Sequence, residues 1–536
     1  MPARTRLVVP ITSNEPPLAQ QVAAARAAGA DLVELRLDCL RDWAVVEQLL
    51  AADPQLPAIL TLRSADEGGR WTGTGAERLA VLTRLARQGP AYMDVEYSAW
   101  RRSATVRRKI GEVCELHVGS DARRWHAERA TGARCGLILS RHDPHRPPRN
   151  LSAVCDRLAA TPADVVKIVA AARDATDACR MLAELERWRG RRDVVALSLG
   201  DAGLATRVLA AKFGGAMTFA CLDPRHASAP GQPTIHELRE TYRWESIRAR
   251  TRVYGVVGWP LAHSLGPRVH NAAMAATGVD GVYVPWPVQP GYRALARFLD
   301  TVTAHPELGV MGLSVTSPHK ENVSRWLRQR GSTVHGDAVA CRAVNTLVRC
   351  SARGWEGDNT DVQGVRQAFD RLGPGILDGK RVAVLGAGGA ARAVIVALRD
   401  RARLITVYSR SLHRARHLAR EFGCLVKSWE DRQSLDADVL VNATPIGQRP
   451  DADATPVPER VLKPGMVVFD AVYQPRATKL LLAAGSRGCR VVYGDAMFIG
   501  QAAAQYELWH RIAAPRGAMW AALSDARADS AGSSSS

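Results

Sequence analysis

Short apolar runs and helical stretches alternate along the first 230 or so residues of this 536-residue chain. The runs Leu7–Ile11, Asp31–Leu37, Ala58–Leu62, Tyr92–Val95, Gly136–Ser140, Val165–Val169, Val194–Leu199 and Met217–Cys221 are rich in Val, Ile and Leu. They predict strands buried on both faces, as in parallel sheets. Between them, stretches such as LAQQVAAARAAG and DACRMLAELERWRG carry helical spacing. Strand and helix in regular alternation predict a (β/α)₈ TIM barrel. The connection spanning 98–135 has no clear assignment, although RRSATVRRK within it fits a solvated helix face.

After a polar stretch, HELRETYRWESIRART, the alternation resumes. Strand, loop and helix follow in VYGVVGWPLAHSLGPRVHNAAMAATG, with the helix starting near Gly266-Pro267, and again in GVMGLSVTSPHKENVSRWLRQRG. In the latter, Ser317 suits an N-cap and Pro318 the first helical position. Lys320 then falls in the first turn, where the helix dipole favours its neutral form. Asp361, in GDNTDVQG, is either a helix cap or the partner of Lys320 in moving a proton.

The run Arg381–Leu385 leads directly into Gly386-Ala387-Gly388-Gly389-Ala390-Ala391 and then a helix-forming stretch. Strand, glycine turn and helix in this order form a dinucleotide-binding fingerprint. Gly386 permits the tight turn, Gly388 the approach of a pyrophosphate, and Ala391 close packing of helix on strand. The next strand, LITVYS, ends where an NAD site carries an acid for the ribose hydroxyls. Here stand Ser409, Arg410, Ser411 and Arg414. Two cations and two hydroxyls suit a ribose 2′-phosphate, so NADP(H) is the expected cofactor.

In the first half, polar residues fall where a barrel gathers the carboxyl ends of its strands. Glu34 and Arg36 lie in the second strand, Arg63 after the third, Glu96 after the fourth and His142 after the fifth. Lys167 interrupts the sixth; Arg207 follows the seventh, and Ser228 and Gln232 the eighth. A charge inside an apolar strand is costly unless it is paired or used. A desolvated lysine among cations becomes a nucleophile towards a ketone, and the imine it forms acidifies the neighbouring carbon. His142 is the expected proton carrier, with Glu96 to orient it; Arg63 and Arg207 would hold a carboxylate or hydroxyls.

Composition narrows the field. The net charge of +19 is spread along the chain, and no zinc-finger, basic-zipper or RNA-binding pattern accompanies it, so no nucleic-acid partner is expected. Ten scattered cysteines without C-x-x-C spacing suggest a reduced cytoplasmic chain with neither disulfides nor a metal site. No apolar run is long enough to span a membrane. The tail DARADSAGSSSS reads as disordered.

The motifs VELRLD, LRSADEGG, MDVE, SRHD, VVKI, SLG and SAPGQ, in this order, resemble type I 3-dehydroquinate dehydratase over about the first 240 residues. The resemblance implies a barrel domain over 1–245, a Schiff base at Lys167, His142 as general acid/base, and no cofactor there. The motifs HSLGP with HN, VTSPHK, AVNTL, GDNTD, GAGGAARA, SRSLHRA, VNATPIG, DAVYQP and GDAMFIGQAAAQ are similar to shikimate dehydrogenase. This second resemblance implies a substrate domain over 252–377, completed by a helix over 495–523, an NADP-binding Rossmann domain over 378–494, and a disordered tail over 524–536. It implies catalysis by Lys320 and Asp361. Ser264, Thr316, Asn345, Tyr473, Gln501 and Gln505 would surround the substrate. Ala387, Gly389, Ala390, Asn442, Ala443, Thr444, Gly494 and Met497 would lie along the cofactor. Gly266 stands where many relatives have a second serine in the substrate loop.

Together these features predict a bifunctional enzyme, as in plant fusions. It would dehydrate 3-dehydroquinate and then reduce 3-dehydroshikimate to shikimate with NADPH. Two alternatives are a quinate or shikimate dehydrogenase of a catabolic route using NAD, and a regulator built from inactive relatives. The second predicts lost catalytic residues, whereas Lys167, His142, Lys320 and Asp361 are all present.

Overall fold

The computed structural model describes residues 4–52, 55–114, 135–351 and 354–532. Three sheets organise the described residues. The first contains β1 (Arg6–Ile11), β2 (Leu32–Arg36), β3 (Ala58–Thr61), β4 (Tyr92–Glu96), β5 (Gly136–Asp143), β6 (Val165–Ala171), β7 (Val194–Leu199) and β8 (Met217–Phe219). Their order is β7-β6-β5-β4-β3-β2-β1-β8, all paired in parallel. Ala216 N donates to Val194 O at 2.8 Å, bringing the two edges together into a nearly closed barrel. The second sheet contains β9 (Arg252–Gly258), β10 (Gly281–Pro287), β11 (Val310–Val315), β12 (Thr346–Arg349) and β13 (Trp355–Asp358), in the order β10-β9-β11-β12-β13. The third contains β14 (Arg381–Leu385), β15 (Leu404–Ser409), β16 (Leu425–Ser428), β17 (Val439–Asn442), β18 (Val467–Asp470) and β19 (Arg490–Val492). Its order, β16-β15-β14-β17-β18-β19, is the doubly wound arrangement, with the switch point at β14 and β17 where dinucleotides bind.

The barrel and the second sheet share one contiguous apolar core, in which Leu185, Val208 and Trp244 join a cluster with Val253, Trp286 and Leu299. Polar ties reinforce the junction. Arg297 donates to Asp174 at 2.7 Å, Gln289 Nε2 to Arg173 O at 3.2 Å, and Lys212 Nζ to Ala249 O at 2.9 Å.

Three local expectations are corrected. Strand β5 continues to Asp143, so His142 lies within it, because residues 138–143 keep their pairing with β6. The helix after VTSP begins at Lys320, not at Pro318: Ser317 and Pro318 form the turn ahead of it, and His319, not Ser317, holds the N-cap position. Residues 524–532 of the expected disordered tail belong to helix Arg516–Gly532, in which Met519, Leu523 and Ala526 are buried and Arg527 donates to Tyr473 O at 3.2 Å, and 533–536 lie outside the described residues. These three apolar residues, four and three apart, form one face that packs into the cluster around Tyr254 and Met274. Of the 98–135 connection, the described part holds helix Ala104–Cys114; the rest lies outside the described residues.

Candidate functional site

In the barrel, period-two alternation aims residues two apart at the same side. Lys167 on β6 is 4% exposed. Its Nζ lies 3.1 Å from Glu34 Oε1 on β2, 3.4 Å from Asp94 Oδ2 on β4 and 4.4 Å from the centroid of the Phe219 ring. The groups nearest its ammonium are therefore carboxylates, not the cations expected. Arg63 pairs with Asp94 at 2.9 Å and donates to Ser140 Oγ at 2.7 Å. Arg36 forms a two-pronged pair with Asp38. Lys167, Glu34, Arg36 and Arg63 line a cavity of about 140 Å³ together with His142, Arg207, Ser228 and Gln232.

His142 carries no hydrogen bond on Nδ1 among the described residues, which lies 3.5 Å from Glu67 Oε2. The same carboxylate accepts from His142 N at 2.9 Å. Burial, then the positive charges of Arg63, Lys167 and Arg36, hold the imidazole well below its ordinary pKa, so it is neutral at physiological pH. Burial pushes the Glu67 carboxyl up to about 7, against the opposing pull of Arg63. Arg207 is fully buried, donates to Ser198 O and leaves Nε without a partner among the described residues; burial pushes its guanidinium down to about 10. A buried cation with spare N–H capacity at a cavity wall suits an anionic ligand.

The second site lies between the other two sheets. Lys320 forms a close ion pair with Asp361, whose other oxygen accepts from Asn345 Nδ2 at 2.8 Å. Asn359 caps the helix that carries Asp361, Thr360–Asp370. Lys320 and Thr316 line a cavity of about 730 Å³, which continues along the glycine turn to Ser409, Arg410, Ser411 and Arg414. Gly386 has φ +111°, and a Cβ there would stand 3.0 Å from Ala443 O, so glycine is required at the turn. Helix Gly389–Leu398 begins at the cavity wall, directing its free N–H groups at the site. A bare turn, a helix N-terminus and two arginines with two serine hydroxyls fit the pyrophosphate and 2′-phosphate of NADP(H).

Residues 7–249 match the family profile "Type I 3-dehydroquinase", and residues 256–347 match "Shikimate dehydrogenase substrate binding domain". A chloroplastic bifunctional 3-dehydroquinate dehydratase/shikimate dehydrogenase of Arabidopsis thaliana is 33% identical over 94% of this chain and 81% of its own length. The chain belongs to this bifunctional family. A shikimate dehydrogenase (NADP(+)) of Oleidesulfovibrio alaskensis is 38% identical over 52% of this chain and 98% of its own. The crystal structure of the Thermus thermophilus shikimate 5-dehydrogenase with NADP(H) and shikimate is 33% identical, covers 51% of this chain and 99% of its own, and superposes with TM-score 0.46.

In this member of the family, most of the expected site residues gather at the two cavities, with instructive exceptions. Glu96 does not face His142. Its carboxylate pairs with Arg78 at 2.5 Å and accepts from Ser64 N at 2.8 Å, because helix Gly75–Ala86 presents Arg78 behind the end of β4. Glu67 takes the place beside His142, and Asp94 reaches Lys167. Neither was singled out, although Asp94 shares a strand face with Glu96 by period two.

In the second site, Tyr473, Ala387, Gly388, Gly389, Ala390, Ala443 and Thr444 line the cavity. Asn442 does not face it. Its amide is held by Asp470 at 2.9 Å and Ile446 O at 3.1 Å, while its oxygen caps Thr444. Gln505 is likewise committed, accepting from Ser314 at 2.7 Å and donating to Asn345 O and Thr346 Oγ1. Gln501 Nε2 donates to Phe498 O at 3.1 Å. Gly494 opens helix Gly494–His510, and Met497 is buried in the core. Ser264 lines a neighbouring cavity. Among the described residues no cluster of His, Cys, Asp or Glu could hold a metal ion, and no helix is long and apolar enough to cross a membrane.

Proposed function

We propose that the chain dehydrates 3-dehydroquinate to 3-dehydroshikimate in the barrel and reduces that product to shikimate in the second site. The observation that carries this reading is the pair of lysines, buried Lys167 and half-buried Lys320, each at the wall of its own cavity with a proton-handling partner.

In the barrel, the Lys167 amine attacks the substrate ketone and water leaves, giving an iminium that draws electrons from the adjacent C–H bond. Neutral His142 removes that proton, and the resulting enamine expels the hydroxyl as His142 returns the proton to it. Hydrolysis of the iminium frees Lys167 and the enone. Arg207, Ser228 and Gln232 hold the carboxylate and hydroxyls, and Glu67 orients His142.

In the second site the chain's residues bind, orient and move one proton. Lys320, paired with Asp361, places a proton on the carbonyl oxygen being reduced, and Asn345 fixes Asp361 by its 2.8 Å hydrogen bond. Thr316, on the same cavity wall as Lys320, meets the substrate. The glycine turn, Ser409, Arg410 and Arg414 hold NADPH, which supplies the hydride when bound.

A preference for quinate over shikimate is the one competing specificity, and Gly266 is the observation behind it. The position lacks a hydroxyl, and a Cβ there would meet the Tyr283 ring and hydroxyl at 3.2 and 3.3 Å. The ten cysteines are all free, which supports a cytoplasmic, reducing setting.

A coupled assay from 3-dehydroquinate with NADPH tests the whole reading. Lys167→Ala should abolish the first step alone, and Lys320→Ala the second alone. Borohydride reduction with substrate should leave an adduct on Lys167, and its absence by mass spectrometry removes the imine step.

A further inference from the structure

Tyr473, expected to face the substrate, lines the reductase cleft from the turn that follows β18. Both its ring and its backbone are held from behind the cleft. The ring stacks on Phe498, with centroids 4.5 Å apart and planes 16° from parallel. The carbonyl oxygen accepts from Arg527 Nη2 at 3.2 Å. The other terminal nitrogen of Arg527 donates to Asp495 Oδ2, also at 3.2 Å, and the same oxygen accepts from Arg476 Nε at 2.9 Å. Asp495 is 3% exposed, so a buried carboxylate lies between two guanidiniums. The three residues come from three segments. Arg476 belongs to the turn after Tyr473, Asp495 to the first turn of helix Gly494–His510, and Arg527 to the C-terminal helix. A Cβ at Gly494 would stand 2.5 Å from Val472 O and 2.7 Å from Asp470 O, so the helix start is pressed against the chain leading to Tyr473. Asp495 and Phe498, three apart, share one side of that helix.

We propose that Arg527 and Asp495 are positioning residues of the reductase, which together hold the Tyr473 hydroxyl against the substrate. The proposal rests on the reductase reading above and adds to it the means by which the ring is placed. The planar fork of Arg527 bridges a carboxylate and a carbonyl at once, which the point charge of a lysine does not. Asp495 fixes that fork: separating a buried charge from its partner is costly, and this cost keeps the C-terminal helix seated on the turn. Phe498, one helical turn beyond Asp495, sets the plane of the Tyr473 ring. Neither Arg527 nor Asp495 is on the cleft wall, so both act through Tyr473 and touch neither substrate nor NADPH.

The test is steady-state kinetics of the reductase on the full chain, with 3-dehydroshikimate and NADPH varied in turn, alongside thermal unfolding. Arg527→Lys keeps a cation opposite Asp495 but loses the second bond, to Tyr473 O. It should raise the KM for 3-dehydroshikimate about five- to tenfold, as loss of one hydrogen bond does, and leave kcat, the KM for NADPH and the unfolding midpoint nearly unchanged. Asp495→Asn should shift the same KM in the same direction. An unchanged KM in Arg527→Lys overturns the proposal. So does an equal rise in KM for both substrates with a lowered midpoint, which marks a structural ion pair only. A double-mutant cycle reads whether the effect passes through Tyr473. In the Tyr473→Phe chain, Arg527→Lys should add nothing further to the KM, and effects that simply multiply overturn the assignment. If Asp495→Asn does not fold, Arg527→Lys and the cycle decide alone. A parent chain that fails to reduce 3-dehydroshikimate, by contrast, would count against the reductase function itself.

Discussion

At the scale of single residues, the pair His142 and Glu67 gives the barrel a pH dependence whose sign follows from burial. His142 stays neutral because burial and three cations keep its pKa low. Glu67 changes charge near neutrality, its carboxyl pushed up to about 7 by burial. Below that pH Glu67 is protonated and exerts no charge on the imidazole. Above it, the carboxylate, 3.5 Å from Nδ1, attracts the Nδ1–H and leaves Nε2 free as the base. Dehydratase kcat/KM should therefore rise with pH through about 7. Glu67→Gln should flatten that limb and lower kcat about 10²-fold, leaving the reductase unchanged. A pH–rate profile of each variant checks this. Lys167 was legible in the sequence because a charge interrupts an apolar strand. Glu67 was not, because it sits in the short turn Ala65–Glu67 and reaches His142, 75 positions away, only when the barrel closes. The glycine turn with Ser409, Arg410, Ser411 and Arg414 was legible by spacing, whereas Asn442 and Met497, expected from the resemblance, do not line the cavity. Replacing both Arg410 and Arg414 by Ala should raise the KM for NADPH about tenfold and barely move that for NADH. Equal effects on the two cofactors would remove the 2′-phosphate assignment.

At the scale of elements, alternation located the strands because parallel strands are buried on both faces and read as continuous apolar runs. Ends were less legible. Local capping rules placed the start of the Lys320 helix at Pro318, whereas the chain spends Ser317 and Pro318 on the turn and starts the helix at Lys320. The C-terminal helix was hidden by composition: its Ala, Ser and Asp residues read as a tail, and only Met519, Leu523 and Ala526 reveal a face at helical spacing. That face is anchored, since Arg527 bonds Tyr473 O and pairs with Asp495 at 3.2 Å, next to a residue that lines the reductase cleft. Leu523 is fully buried. Leu523→Ala should cost about 2–5 kcal/mol of stability. Scanning calorimetry should show the loss as a lowered midpoint, and reductase activity should fall at a lower temperature than in the parent chain. An unchanged midpoint would mean that the helix contributes nothing to the fold.

At the scale of the whole molecule, the motifs identified each half, yet nothing in their order foretold how the halves meet. The contacts that join them, such as Arg297 with Asp174, bridge 123 positions and leave no periodic trace. Their energies are unequal. The Arg297 side chain is 48% exposed, so its ion pair is screened and is worth about 0–1 kcal/mol. The apolar part is larger: Trp286 and Leu299, both almost fully buried, belong to the same cluster as barrel residues Leu185 and Val208, and each such side chain contributes about 1.5–3 kcal/mol by leaving water. The barrel should therefore depend on the rest of the chain for its stability. In urea unfolding followed by dehydratase activity, Arg297→Ala should move the midpoint only slightly. A chain ending at Arg250 should unfold at clearly lower urea, because the barrel's share of the common core is then open to solvent. If the truncated barrel matches the full chain, the shared core is a contact without energetic weight.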